Sequence, residues 1–293
     1  MSVLINRIVS SFLYLISLLP FWVLYIFADI LFVLLYYVVG YRRNVVETNL
    51  KNAFPNKNIA ERKTIARKFF RFLADTIVET IKLRSISESE LKKRFKLKNQ
   101  EEVSQYLDNN QSVLIATGHY ANWEWSAPGN SVYFKEPLMI IYKPQSNKSF
   151  EADINTMRSR FGAVMVPMKQ ALRQIVSYSK KPFIATLLAD QTPIQTTTNF
   201  YLQFLNQPTA VFLGVEKIAK ITGRPIVFYY TNRIKRGYQE GIFSTLVADP
   251  KSTNEYEITK LYHQEMERII NQRPELWLWS HKRWKFKPQH TNE

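Results

Sequence analysis

The chain has 293 residues and no cysteine, which excludes disulfides and thiolate metal sites while leaving the compartment open. Histidine is scarce as well: His119, His263, His281 and His290 are the only imidazoles. Gly/Ser-rich linkers and internal repeats are absent, so a single large domain is expected after the amino-terminal region. Between Ile8 and Tyr41 there is no Lys or Arg, and Asp29 is the only charge. That run is too long for a cleavable leader, and Tyr41-Arg42-Arg43 stands where a small-residue cleavage site would be needed.

What fills this gap in charge is Leu, Ile, Val, Phe and Tyr. Pro20 divides the run and leaves Phe21 to Gly40, close to the roughly 20 residues that cross a hydrocarbon core. Thirteen Leu, Ile, Val and Phe residues in that stretch, at about −0.3 to −0.6 kcal/mol each, outweigh one Asp at about +2.5 to +3.5 kcal/mol. Insertion is favourable, and both a single span and a bent helix pair within one leaflet suit Pro20 and Asp29. Arg42, Arg43, Lys51 and Lys57 follow the run and only Arg7 precedes it, so the positive-inside rule places the rest of the chain in the cytoplasm. The expected organisation is a membrane-anchoring segment, 1–41, and one domain, 42–293. Net charge is +16, which calls for an anionic partner: nucleic acid, anionic lipid or an acidic protein. A nucleic-acid binder would leave the apolar run without a purpose, so no nucleic acid is expected and anionic inner-leaflet phospholipid is.

Farther along, Glu61 to Leu83 spaces Ile65, Phe69, Phe70, Leu73, Ile77 and Ile81 as on one helix face, with Arg62, Lys63, Arg67, Lys68 and Arg71 between them. Ser87 to Asn109 reads as helical. Strand signals then alternate with helical ones: Val113 to Thr117, Leu138 to Tyr142, Ala163 to Val166, Phe183 to Leu188 and Ile226 to Thr231. Thr209 to Thr222 reads as a helix stopped by Gly223 and Pro225, and Ser252-Thr253-Asn254-Glu255 as the capping box of another that ends before Pro274. The fold class is therefore α/β, a central mostly parallel or mixed sheet flanked by helices.

Chemistry concentrates in Gly118-His119-Tyr120-Ala121-Asn122-Trp123-Glu124-Trp125. Gly118 allows a tight turn after the Val113 strand, and Asn122 can cap a helix starting near Trp123. Residues five apart on one helix lie roughly 140° from each other, so His119 and Glu124 meet only across a strand-turn-helix junction. A neutral imidazole there could take a proton from a hydroxyl, with the carboxylate fixing its tautomer. The pair is equally compatible with an ordinary polar strand end and a first-turn acid. Arg158 and Arg160 are candidates for holding a phosphate or carboxylate. Asp190-Gln191 lies where the Phe183 strand ends, the place where open α/β sheets bind ligands. Trp277 and Trp279 alternate with Leu276 and Leu278 as if packed; Lys282, Arg283 and Lys285 look available to an anionic partner. His263 reads as a helix-surface residue and His290 as tail. No further ligands stand near His119 and Glu124, so no metal is expected.

The Gly118 to Trp125 block resembles the His-x4-Asp/Glu block of the bacterial lipid A biosynthesis acyltransferases, the lauroyl and myristoyl transferase family. Gly40-Tyr41-Arg42-Arg43-Asn44-Val45-Val46, Asn49-Leu50 through Ala53-Phe54-Pro55, Tyr142-Lys143-Pro144, Arg158 to Gly162, Asp190-Gln191 and Pro274 through Lys285 follow in the family's order. The resemblance implies a glycerolipid-acyltransferase-like fold at the inner membrane. It also implies a membrane-associated O-acyltransferase that moves a fatty acyl chain from acyl carrier protein, its co-substrate, to a hydroxyl of a lipid A precursor, with no other cofactor. It gives His119 the role of general base and Glu124 that of its orienter. Arg160 is then favoured over Arg158 for substrate anions, with Asp190, Gln191, Asn122 and Lys143 as further substrate contacts. The chain departs from the family in a Thr-rich loop after Gln191 and in Phe204-Leu205-Asn206 where Phe-Phe-Gly is common. That opens a different acceptor, an aminolipid or another hydroxylated lipid, to the same chemistry.

Overall fold

The computed structural model describes residues 3–178, 181–193, 200–286 and 288. The Thr-rich loop at 194–199 and His290 lie outside these.

Two apolar helices open the chain, α1 (Val3–Leu18) and α2 (Phe21–Val33), bent apart at Pro20. A π-helical turn, Leu34–Val38, prolongs α2 and Gly40, at φ +63°, ends it. Leu24, Ala28, Phe32 and Tyr36, spaced by four, are buried, whereas Trp22, Ile26, Phe27, Ile30 and Val33 point outward. The buried stripe lies on α4 (Ile59–Lys82), which follows α3 (Arg43–Ala53). Asn58 and Glu61 form a capping box that starts α4. Its Phe69, Phe70 and Phe72 are buried, each worth about 1.5–3 kcal/mol of transfer free energy. Lys63, Arg67, Lys68 and Arg71 stay exposed, the basic side that the periodicity anticipates.

The segment after α4 differs from the expected continuous helix. It breaks into α5 (Glu88–Arg94), strand β1 (Phe95–Lys98) and α6 (Glu101–Asp108). Then come β2 (Val113–Thr117), α7 (Ser126–Ser131), β3 (Leu138–Tyr142), α8 (Lys148–Arg158), β4 (Val164–Pro167), α9 (Ala171–Ser177) and β5 (Ile184–Leu188). A small hairpin, β6 (Tyr201–Phe204) and β7 (Gln207–Ala210), precedes α10 (Gly214–Thr222). The helix expected from Thr209 is thus a strand at its beginning. Leu205 and Asn206 make the hairpin's two-residue turn at φ +50° and +61°, a conformation that Asn tolerates better than most residues.

The chain ends with β8 (Ile226–Lys235), β9 (Tyr238–Val247) and α11 (Glu257–Gln272). Helix α11 starts later than the expected capping box. Asp249 and Pro250 organise residues 250–252 as a separate turn, and the Glu257 carboxylate accepts from the Asn254 backbone N–H. The seven-stranded sheet has the order β1-β9-β8-β2-β5-β3-β4, and among the described residues its pairs are parallel except β8–β9. Strand residues alternate between the faces: Leu114, Ala116, Ala185 and Phe228 join one core, with α4 and α11. Val113, Ile115, Ile184 and Val227 join the other.

Candidate active site

Strands β2 and β5 are neighbours, with Thr117 beside Leu188. Their carboxyl ends therefore bring together two residues 71 apart in sequence, His119 and Asp190. Gly118 makes the approach possible. A Cβ there would stand 2.7 Å from the Met266 Cε and 3.0 Å from the Asp190 Cγ, so the Met266 side chain and the Asp190 carboxylate would both have to shift.

The His119 Nδ1 lies 2.7 Å from the Asp190 Oδ1, and the His119 backbone N–H donates to Oδ2 at 2.8 Å. The Trp277 indole also donates to Oδ2, at 3.0 Å. With Asp190 ionised, Nδ1 carries the proton and Nε2 is left as the basic lone pair. Burial alone would raise the Asp190 carboxyl, whose side chain is only 2 % exposed. The charge of His119 when protonated and the donors around the carboxylate outweigh burial and hold it well below the usual carboxylate range. Gln191 donates its amide N–H to the His119 Nε2 at 3.2 Å. The edge of Trp123 stands against the imidazole.

Glu124 is not where the sequence argument places it. Its carboxylate takes a bidentate pair from Arg158, Nε at 2.8 Å and Nη2 at 2.7 Å, and accepts from the Trp123 indole. Burial opposes its charge, but Arg158 prevails and the Glu124 carboxyl is lowered. Among the described residues the ring partners of His119 are Asp190 and Gln191. Position 124 falls in the first turn after Asn122, and Arg158, at the end of α8, captures it there.

The other candidates separate in a similar way. Arg160, expected to hold substrate, instead donates to the carbonyls of Leu83 and Ile86 and stacks on Phe161. Two residues beyond Arg158, it points the other way and caps the end of α4. Asn122, expected among the substrate contacts, is buried: its Oδ1 accepts from the Trp125 N–H at 3.2 Å, the capping role its sequence position suggests, and its amide donates to Glu79. Lys143 and Gln191 do line the cavity beside His119.

Several supporting residues lie in blocks whose individual roles the sequence does not assign. His281 accepts at Nε2 from the Thr192 backbone N–H, 3.1 Å away, and so holds the strand-end loop that bears Asp190. Burial, with Arg283 and His119 nearby, lowers His281 to about 4. Arg42 and Asn49, from the amino-terminal blocks, donate to the carbonyls of Ser280, Trp279 and His281. Both ends of the chain thus brace the catalytic turn, where Tyr120 bridges to Trp277. Arg283 is buried and donates to the Ala210 carbonyl; it does not face an outside partner, whereas Lys282 and Lys285 are exposed. His263 is also buried, with Nδ1 on the Thr259 carbonyl at 2.8 Å. Both overturn surface assignments made from local polarity.

His119 and the Glu124–Arg158 pair open onto a cavity of about 470 Å³. Ile140, Leu187, Met168, Phe212, Val215 and Ile218 give its interior an apolar lining, while Lys143 and Lys217 are exposed at its rim. A base with a fixed tautomer, next to an apolar cavity with a polar rim, suits a ligand that combines a long hydrocarbon with a reactive polar end. The sequence pattern describing the bacterial lipid A biosynthesis acyltransferases matches residues 2–286. The chain belongs to this family. Lipid A acyltransferase relatives include the palmitoleoyltransferase of Escherichia coli K12, 23% identical over 84% of this chain and 80% of that protein. The lauroyltransferase of the same organism is 22% identical over 85% and 80% of the two chains, and its myristoyltransferase 20% over 79% and 71%.

Proposed function

We propose that this acyltransferase moves a fatty acyl group from the thioester of acyl carrier protein to a hydroxyl of a lipid A precursor, with His119 as general base and Asp190 as its orienter. The observation that carries the reading is the His119 ring: Nδ1 bound to a buried carboxylate and Nε2 on Gln191, with His119 and Gln191 both lining the cavity. Nε2 takes the proton as the acceptor oxygen attacks the thioester carbonyl. The tetrahedral intermediate collapses, the C–S bond breaks, and the imidazolium returns the proton to the leaving thiolate. The acceptor is the nucleophile, so no acyl-enzyme forms. Glu124, neutralised by Arg158, forms the polar part of the lining and is placed to accept from a substrate hydroxyl. Lys143 and Lys217 are placed to meet anionic groups at the rim.

The setting proposed is the cytoplasmic face of the inner membrane. Helix α2 with its π-helical extension is long and apolar enough to cross a bilayer, yet Asp29 bonds to Arg236 of the domain at 2.7 Å. That contact favours α1 and α2 lying in one leaflet, with Phe12, Leu15, Trp22, Ile26 and Ile30 outward in the acyl-chain boundary. Basic side chains of α4 then meet anionic headgroups.

The test is transfer from acyl-acyl carrier protein to a purified lipid A precursor by His119→Ala protein. A loss of about 10²- to 10⁴-fold in turnover is expected, with vesicle binding and fold retained. Near-normal transfer would overturn the mechanism; unchanged failure of the wild type with this acceptor but success with a hydroxylated aminolipid would move the acceptor.

A further inference from the structure

Asp75 and Glu79 are buried carboxylates one turn apart on α4, and the proton transfer uses neither. Tyr25 and Asp29, one turn apart on α2, meet them in reverse order. The Tyr25 hydroxyl donates to the Glu79 Oε1 at 3.0 Å. Asp29 is joined to Asp75 through Arg236, which bonds to both carboxylates. The two helices are therefore antiparallel and share a two-rung polar seam. This explains an acid inside an otherwise apolar run: Asp29 serves the seam.

The Glu79 rung continues beyond α4. Its Oε2 accepts from the Asn122 side-chain amide at 2.5 Å, and its backbone carbonyl accepts from the Trp125 indole at 3.0 Å. Asn122 caps the turn that follows His119, and Ala121 between them is held at φ +46°, a left-handed conformation that a Cβ disfavours. The turn His119-Tyr120-Ala121-Asn122 is thus pinned at one end by Asp190 and at the other by Glu79. Without Glu79 the Asn122 side-chain amide would be buried with no acceptor, and the strained turn would lose one of its anchors.

We propose that Glu79 is a positioning residue for His119, and that through Tyr25–Glu79–Asn122 the apolar helix α2 sets the catalytic turn. This rests on the reading of His119 as the base. Glu79→Gln keeps an acceptor for Asn122 and offers the Tyr25 hydroxyl an amide N–H in place of the acceptor it now has, a bond that hydroxyl can make by accepting; Glu79→Met keeps the length and removes both. In steady-state transfer assays on the full-length protein, Glu79→Met should lower kcat by at least about tenfold with KM for both substrates little changed, and Glu79→Gln should stay near wild type. Tyr25→Phe, which leaves the Glu79–Asn122 bond in place, should lower kcat by about threefold. In a His119→Ala background Glu79→Met should cost nothing further, because it acts through the missing base.

A folded Glu79→Met protein with wild-type kcat, or an equal kcat loss in Glu79→Gln, overturns the proposal. Should Glu79→Met fail to fold, Tyr25→Phe decides, and an unchanged kcat there overturns it. Full turnover by His119→Ala instead breaks the base assignment, a separate and recognisable failure.

Discussion

At the scale of single residues, the informative contrast is between two carboxylates near one histidine. Glu124 is five positions from His119 and Asp190 is 71, yet the distant one holds Nδ1. Sequence spacing describes a local turn, whereas adjacent parallel strands deliver their ends to one place irrespective of separation. His119 itself was legible as a candidate: a histidine after a buried strand and a glycine. Its partner was legible only as a polar pair at another strand end. The same contrast divides the arginines. Arg158 meets Glu124 at the cavity, and Arg160 closes the end of a helix. Arg160→Ala should therefore destabilise the fold by about 1 kcal/mol, since two part-buried carbonyls lose their donor, while kcat of the folded protein stays unchanged. Chemical unfolding and transfer assays on the same preparation check this, and a kcat loss with unaltered stability would restore Arg160 to the site.

At the scale of elements, β2, β3, β4, β5 and β8 and the helices α4 and α10 follow from period and flanking residues. Strand β9 and the β6–β7 hairpin do not. Tyr238 to Val247 alternates buried and half-buried positions around Gln239 and Gly241, too polar a run to announce a strand. Helix α11 shows how tertiary packing overrides local polarity. His263 lies on its buried face against Phe204 and Tyr262, and burial lowers its pKa to about 3. The folded state thus keeps His263 neutral, while the unfolded chain binds a proton near 6.5. Its contribution is neutral above that value, and stability is lost as pH falls from about 6.5 toward 3. At about pH 5 the loss reaches roughly 2 kcal/mol. Denaturant unfolding at pH 7 and pH 5 should show wild type losing about that much more than His263→Gln; equal losses would contradict the burial argument.

At the scale of the whole molecule, the amino-terminal blocks and the closing Trp-rich block serve one structure. Arg42 and Asn49 grip carbonyls of residues 279–281, Trp277 bonds Asp190, and His281 holds the loop beside it. Blocks that are weak singly become meaningful together because they meet at the site. The +16 charge and the outward apolar faces of α1 and α2 are the features on which the proposed membrane setting rests, and the cavity beside His119 has an apolar lining. The account stands or falls on Asp190 as the orienter of His119. Single-turnover transfer from acyl-acyl carrier protein to a lipid A precursor, by wild-type and Asp190→Asn protein, measures this directly. The prediction is a fall of about 10²- to 10⁴-fold in the transfer step with substrate binding retained; transfer by Asp190→Asn within a few-fold of wild type would contradict it.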